Sequence, residues 1–289
     1  MKEQRSFGDN SKGCLFLVPT PIGNLEDITL RALKTLKEVD LVAAEDTRNT
    51  GILLKKLEIP ANLISFHEHN TAQRIPELIE KMNAGTKIAQ VSDAGAPSIS
   101  DPGKELVKAA IKADIPVVPL PGATASITAL IASGIAPQPF YFFGFLPRKG
   151  KERTEALENL ANRVETTIVY ESPYRVKKTV QDLIEAFGPD RQITLARELT
   201  KIHEAFLRGS LSQVAEYYEE NDPKGEYVLI IAGKPEETIE VESDDDLVLA
   251  VDKLVDQGIK PNKAIKEIAT KNGLKKQDVY NLYHGIGEE

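Results

Sequence analysis

The sequence predicts an α/β protein, with two α/β domains in tandem followed by a small helical domain. Three observations carry that prediction. Apolar runs rich in β-branched residues alternate with helix-period segments over most of the chain. Beyond Pro137-Gln138-Pro139 the strand-like runs lie closer together. The last 43 residues carry three helical patterns interrupted by Gly258 and Gly273.

Leu15-Phe16-Leu17-Val18 reads as the first strand, with Pro19 to Asn24 as the turn after it. A helix fits Ile28 to Val39, where Leu30, Leu33 and Leu36 share a face. Leu41 to Ala44 is a second strand, Thr50 to Leu57 a short helix, Leu63 to Phe66 a third strand, and Ala72 to Met82 a helix. Lys87 to Val91 is a fourth strand. The helix after Pro102 follows, and Pro116 to Leu120 is a fifth strand. Strand and helix taking turns implies a parallel sheet with helices on both faces. The second unit reads as Phe140 to Phe145, a charged helix from Lys151 to Val164, the strand Thr167 to Tyr170 and a helix after Pro173. The strand Gln192 to Ala196, the segment His203 to Arg208, the helix Leu211 to Glu219 and the strand Tyr227 to Ile231 complete it. Closely spaced strands suggest a mixed sheet with antiparallel pairs. Helices are expected at Leu247 to Asp256, Asn262 to Lys271 and Lys276 to Tyr283. The expected domains are a disordered tail 1–14, α/β domains 15–136 and 137–235, an acidic linker 236–246 and a helix-turn-helix-like domain 247–289.

With 41% hydrophobic and 28% charged residues, the chain has the composition of a soluble globular protein. No apolar run approaches the roughly 20 residues of a membrane span. The polar start lacks a signal-peptide core, so a cytoplasmic setting is expected. A lone cysteine, Cys14, excludes an internal disulfide and reads as a small buried hydrophobe. A net charge of −8 argues against a protein that coats nucleic acid non-specifically. Charge is uneven, however: Pro235 to Asp246 holds seven acids and no base, and Ile259 to Lys276 six lysines against one glutamate. The lysine-rich tail reads either as an RNA contact or as a packing bundle.

In an open parallel sheet, ligands bind beyond the carboxyl ends of the strands. There the sequence places Pro19-Thr20-Pro21-Ile22-Gly23-Asn24, Glu45-Asp46-Thr47-Arg48, the run from Ser92 to Gly103, and Pro121 to Ser126. Neither phosphate-loop pattern is present. Small residues, prolines and carboxylates with a single arginine suit a cationic or zwitterionic guest better than a phosphate chain. Plainer readings stand beside this. Asp101-Pro102 is a good helix start, and Glu45 and Asp46 form a surface pair with Arg48. His67-Glu68-His69 and His203-Glu204 lack the spacing and the ligand number of a metal site.

The ordered series L-F-L-V-P-T-P-I-G-N-L-E-D-I-T, A-E-D-T-R, V-S-D-A-G-A-P-S-I-S-D-P-G and P-L-P-G-A-T-A resembles the tetrapyrrole-methylase superfamily. F-F-G-F-L-P-R-K, Y-E-S-P-Y-R and R-E-L-T-K extend the likeness to its branch acting on small-subunit ribosomal RNA. The resemblance covers about Leu15 to Gly233, and the helical tail is similar to that branch's appended domain. It implies S-adenosylmethionine in a cleft between the two α/β domains. Pro19, Asp93, Ala94, Ala96, Thr124, Ala125, Tyr170, Leu199 and Val228 are then the residues beside the cofactor. It also implies a homodimer, and methyl transfer to the ribose 2'-hydroxyl of a cytidine in the decoding region of 16S ribosomal RNA in the small subunit. The sulfonium supplies the leaving group, so the protein has to orient and deprotonate a weakly acidic hydroxyl, and no metal is needed. The expected catalytic groups are Glu45, Asp46, Arg48, Glu198 and Lys201. Two assignments of the base stay open. One is a desolvated, neutral Lys201; the other is Glu198 or Glu45, with Lys201 positioning phosphate. Arg148, Lys149, Lys151 and Arg153 read as an RNA phosphate grip or as a solvated helix start.

Two other functions compete. A small-molecule methyltransferase of the tetrapyrrole or precorrin type shares the cofactor fold, but has little use for a lysine-rich helical appendage. A non-enzymatic nucleic-acid-binding regulator leaves the carboxylate-bearing strand ends unexplained.

Overall fold

The computed structural model describes residues 3–6, 13–99, 102–235, 243–256 and 258–286. It divides into two compact units, Met1–Lys234 and Pro235–Glu289. Asp101 and most of the acidic stretch 236–246 lie outside the described residues, as does most of 1–14. Cys14 is an exception. It is fully buried, and burial pushes its thiol pKa up.

The first half of the larger unit runs β1 (Leu15–Leu17), α1 (Leu30–Glu38), β2 (Leu41–Ala44), α2 (Thr47–Lys56), β3 (Leu63–Ser65), α3 (Thr71–Asn83), β4 (Ile88–Val91), α4 (Lys104–Lys112), β5 (Val117–Pro119) and α5 (Ala125–Ser133). Its five strands pair in the order β3-β2-β4-β1-β5, all parallel. Alternate residues serve opposite faces, because successive Cβ atoms of a strand point to opposite sides. Val42, Ala44, Ala89 and Val91 pack with Leu36 and Leu54 on one face. Ala43 and Ile88 pack with Leu78, Met82 and Leu106 on the other. Helix α2 starts three residues before the sequence suggests, because the Asp46 side chain caps it by accepting from Arg48 N at 2.8 Å.

The second half runs β6 (Phe140–Phe145), α6 (Lys151–Ala161), β7 (Thr166–Glu171), α7 (Val176–Phe187), β8 (Gln192–Arg197), β9 (Ala205–Ser210), α8 (Leu211–Glu220) and β10 (Tyr227–Ile231). The sheet order is β6-β7-β10-β8-β9, with β6 parallel to β7 and every other pair antiparallel. Val169, Ile193, Leu195 and Leu229 face α6, α7 and α8. The alternate positions, Ile168, Ala196, Val228 and Ile230, face Ala129 and Leu130 of α5. Helix α5 therefore follows the first sheet in sequence but packs on the second, and joins the two.

A polar network lies beneath β7 and α7. Glu171 Oε1 accepts from Ser172 N at 2.8 Å and Arg175 Nε at 2.7 Å, and Oε2 accepts from Thr179 Oγ1 at 2.7 Å. Arg153 donates to Thr179 Oγ1 at 2.9 Å, Asp182 Oδ2 at 2.7 Å and the Pro147 carbonyl at 2.9 Å. Arg153 is only 6% exposed and all of its donor groups point inward. The expectation that it grips RNA is corrected: it is a structural cation.

The smaller unit holds α9 (Asp244–Asp256), α10 (Pro261–Lys271) and α11 (Lys276–Tyr283) around a core of Leu247, Val251, Ile265, Ile268 and Val279. Among the described residues no helix is long and apolar enough to cross a membrane.

Removing one partner of a buried, hydrogen-bonded charge strands the others. Arg153→Ala should therefore lower the unfolding free energy by about 3 kcal/mol. The exposed Lys149→Ala should stay within about 0.5 kcal/mol of the parent. Urea titration followed by circular dichroism distinguishes them, and equal midpoints would remove the network from the stability account.

Candidate active site

The carboxyl edge of the first sheet meets one face of the second in a cleft of about 480 Å³. That volume lies within the range of small-molecule sites. Each wall is set by local chemistry. The loop after β1 is zipped to the loop after β4 by reciprocal bonds, Thr20 N to Gly95 O at 3.0 Å and Gly95 N to Thr20 O at 3.1 Å. Gly95 has φ +81°, a conformation that disfavours other residues. Ala94, Gly95 and Ala96 line the cleft along this edge with small side chains or none, and Thr124 and Ala125 line it at the start of α5.

The opposite wall comes from the second sheet. Val228 pairs with Tyr170 on one side and Ala196 on the other, so the three side chains stand abreast. The Tyr170 hydroxyl accepts from Ser126 N at 3.2 Å, fixing the ring to the first turn of α5. Phe142 and Phe145 meet the Tyr170 ring edge to face, with centroids 5.1 and 5.5 Å away. Ile22, Leu199 and Ala196 add apolar surface.

Charge lies at two places. At the first, Asp93 N donates to Glu45 Oε2 at 3.3 Å, and the Asp93 carboxylate accepts from Asp46 N at 3.2 Å and Asn49 Nδ2 at 2.8 Å. Glu45 and Asp93 line the cleft. Asp46 does not. It binds Arg48 through Nε at 3.1 Å and Nη2 at 2.7 Å, and the Arg48 side chain is 87% exposed. The hydrogen bond from Arg48 lowers the Asp46 pKa to about 2. This pair is an ion-paired helix cap, the plainer of its two readings.

The second place is Glu198 to Lys201. Lys201 Nζ donates to Glu198 Oε1 at 2.8 Å and Glu226 Oε2 at 3.1 Å, and Glu226 N donates to Glu198 Oε1 at 2.9 Å. Burial works against the Lys201 ammonium, but the bonds to Glu198 and Glu226 outweigh it and raise its pKa above the usual lysine value. The Lys201 hydrogen bond in turn holds Glu198 below the usual carboxylate range. A lysine so placed is a cation at neutral pH. Of the two open assignments of the base, these bonds favour the one in which Lys201 stays charged.

Of the expected cofactor residues, Asp93, Ala94, Ala96, Thr124, Ala125, Tyr170, Leu199 and Val228 line the cleft. Pro19 does not. It is buried against Gly122, where an added Cβ would come within 2.6 Å of the proline ring. Of the expected catalytic residues, Glu45 and Lys201 line the cleft, while Glu198 acts on it through Lys201. Arg148, Lys149 and Lys151 are exposed outside the cleft lining, and Lys151 pairs with Glu155 at 3.2 Å. Sequence reading missed Glu226, Glu171, Ile22 and Phe145. Glu226 had one visible signal, its place directly before a strand, but its partner depends on antiparallel pairing with β8. The two histidines of His67-Glu68-His69 meet edge to face at 6.0 Å, away from the cleft lining.

Comparison with known proteins agrees with this architecture. A family model described as Tetrapyrrole (Corrin/Porphyrin) Methylases matches residues 14–215. Similar proteins named ribosomal RNA small subunit methyltransferase I occur in Streptococcus pyogenes serotype M1 and in Bacillus subtilis strain 168. The first is 53% identical over 99% of this chain and 100% of the relative, and the second is 47% identical over 98% and 99%. Among solved structures, uroporphyrin-III-C-methyltransferase from Thermus thermophilus superposes with a TM-score of 0.54 at 22% identity. It covers 77% of this chain and 95% of that one. The methyltransferase CobJ superposes at 0.59 and 18%, over 76% and 94%. At such low identities these structures share the fold. By its matched span and its near-full-length relatives, the chain belongs to the tetrapyrrole methylase family, in the group formed by the small-subunit ribosomal RNA methyltransferases I.

Proposed function

We propose that this protein transfers a methyl group from S-adenosylmethionine to the ribose 2'-oxygen of a cytidine in 16S ribosomal RNA of the small subunit. The observation that carries this reading is the near-full-length identity with relatives of that name, on a chain whose cleft is chemically suited to the donor. The cleft offers small residues along one edge, carboxylates at Glu45 and Asp93, and an apolar wall of Ile22, Leu199, Ala196 and Val228. The one cation among the described lining residues, Lys201, is already matched by two carboxylates. Such a site welcomes an ammonium and a sulfonium and repels a polyphosphate.

In this reading the backbone at Ala94 to Ala96 and the Thr124–Ala125 turn hold the amino-acid and ribose parts, and the apolar wall takes the adenine. When bound, S-adenosylmethionine supplies an electrophilic methyl whose sulfur departs as a neutral thioether. The chain supplies the rest. Lys201, held charged by Glu198 and Glu226, draws the substrate ribose-phosphate into place. Glu45, one of the two cleft-lining carboxylates of the first domain named above, takes the hydroxyl proton as the new carbon–oxygen bond forms. Glu198 is the weaker candidate for base, because its Oε1 already accepts from both Lys201 and Glu226 N and its pKa is depressed.

The reading is tested by incubating the protein with small subunits lacking the modification and with methyl-labelled donor. The expected result is label in the RNA at an alkali-resistant linkage, since a methylated 2'-oxygen no longer attacks its phosphodiester. Donor binding without any RNA label would remove the proposal. Asp93→Asn, which deletes a charge while keeping shape, should weaken donor affinity about tenfold by calorimetry; an unchanged affinity would take Asp93 out of the site. Glu45→Gln should lower kcat by about 10²- to 10⁴-fold. Lys201→Arg, which keeps a charge that does not ionise away, should retain measurable transfer. Activity abolished by Lys201→Arg and preserved by Glu45→Gln would reverse the two roles.

A further inference from the structure

We infer that the loops after β6 and β7 form a platform for single-stranded RNA on which Tyr174 stacks against the base beside the methylated nucleotide. The inference rests on the RNA methyltransferase reading and extends it to residues outside the cleft.

Strands β6 and β7 are parallel neighbours with Phe145 opposite Tyr170, so both run out at the cleft and their loops leave side by side. One loop carries Arg148 and Lys149, both exposed. The other passes the cleft-lining Ser172 and Pro173 and presents Tyr174 at 96% exposure. The two are bound to one frame. Arg175 donates to the Leu146 carbonyl at 3.4 Å, Arg153 to the Pro147 carbonyl at 2.9 Å, and Glu171 accepts from Ser172 N and Arg175. The buried network thus holds the backbone beneath both surface features.

A single exposed apolar side chain is ordinary. What departs from the ordinary is the combination: an almost fully exposed ring, a cleft-lining Phe145 still 57% exposed, and two exposed cations on adjoining rigid loops. A protein partner is better served by a contiguous apolar patch. Aromatic faces beside cations are the means by which proteins hold unstacked bases and their phosphates. The reaction itself supplies the need. A ribose that enters a cleft of this size has to leave the base stack, and the base it abandons loses a neighbour. Tyr174 replaces that neighbour, while Arg148 and Lys149 take the adjoining phosphates.

The test compares Tyr174→Ala, Tyr174→Phe and Tyr174→Trp in the full-length protein, using unmodified small subunits as the probe. Tyr174→Ala should raise KM for the subunit about tenfold, with kcat and donor affinity unchanged, and Tyr174→Phe should behave as the parent. The chain contains no tryptophan, so Tyr174→Trp reports alone, and its emission should be quenched by the subunit and by a short cytidine-rich single strand. Parental transfer together with equal KM values for the alanine and phenylalanine variants would overturn the platform alone, as would unquenched tryptophan. Failure of the parent to label RNA would overturn the methyltransferase reading and the platform with it.

Discussion

The packing of α5 on the second sheet is the constraint from which the cleft follows. Ala129 and Leu130 lie against Ile168, Ala196, Val228 and Ile230, and Ile22 from the first β-loop joins the same cluster. Burial of each Leu, Ile or Val side chain contributes about 1.5–3 kcal/mol. The carboxyl edge of the first sheet is therefore held against one face of the second by apolar packing. The bond from Ser126 N to the Tyr170 hydroxyl adds direction to that adhesion. The cluster ends where Ala125, Tyr170, Ala196, Leu199 and Val228 reach the open space. Floor and wall of the site are thus the exposed margin of an apolar core, which makes the cleft a preformed feature of the fold.

The charges set on this margin are economical, each serving shape as well as field. Asp93 orients the start of α2 through Asp46 N and Asn49 while presenting negative charge to the cleft. Glu198 and Glu226 hold the Lys201 ammonium by hydrogen bonds at 2.8 and 3.1 Å, which fixes where this cation stands at the cleft. Exposed positive charge stands elsewhere, on Arg148 and Lys149 outside the cleft lining. On the proposed reading, that separation suits a reaction between a sulfonium and a polyanion.

Much of the fold was legible because strands and helices alternate with distinct periods, and because the strand ends collect the small and acidic residues that line the cleft. Helix α5 escaped for a physical reason: Ala-Ser-Ile-Thr-Ala-Leu-Ile-Ala-Ser has no polar face to set a period, since it bridges two layers. The helix expected through Val164 stops at Ala161, and Arg163 instead lies over the Tyr141 ring at 3.6 Å. Arg153 was misread because a cation near other cations in a helix start gives no sign of burial. Only the partners Thr179 and Asp182, some thirty positions on, decide it. Glu45, Asp46 and Arg48 looked alike in sequence and separate only when the cap geometry of α2 turns one carboxylate toward the arginine.

The cation of the site rests on a strained backbone. Glu198 and Thr200 adopt φ values of +50° and +66°, at a cost of about 1–2 kcal/mol each for side-chain-bearing residues. Local bonds offset that cost: Lys201 N to Glu198 O at 3.0 Å, Glu198 N to Glu226 O at 2.9 Å and Thr200 N to Glu204 Oε2 at 2.7 Å. Two glycines make the conformation possible. A Cβ at Gly225 would collide with the Glu198 side chain, and one at Gly23 would come within 2.5 Å of Lys201 Cγ. The loop after β1 thereby closes on the loop after β8, and the ammonium is delivered to the cleft from a turn that relaxed backbone would not form. Strain at this point positions Lys201 in the way that apolar packing positions the wall opposite, and neither suffices alone: the wall sets where a ligand lies, and the strained turn sets which charge it meets there.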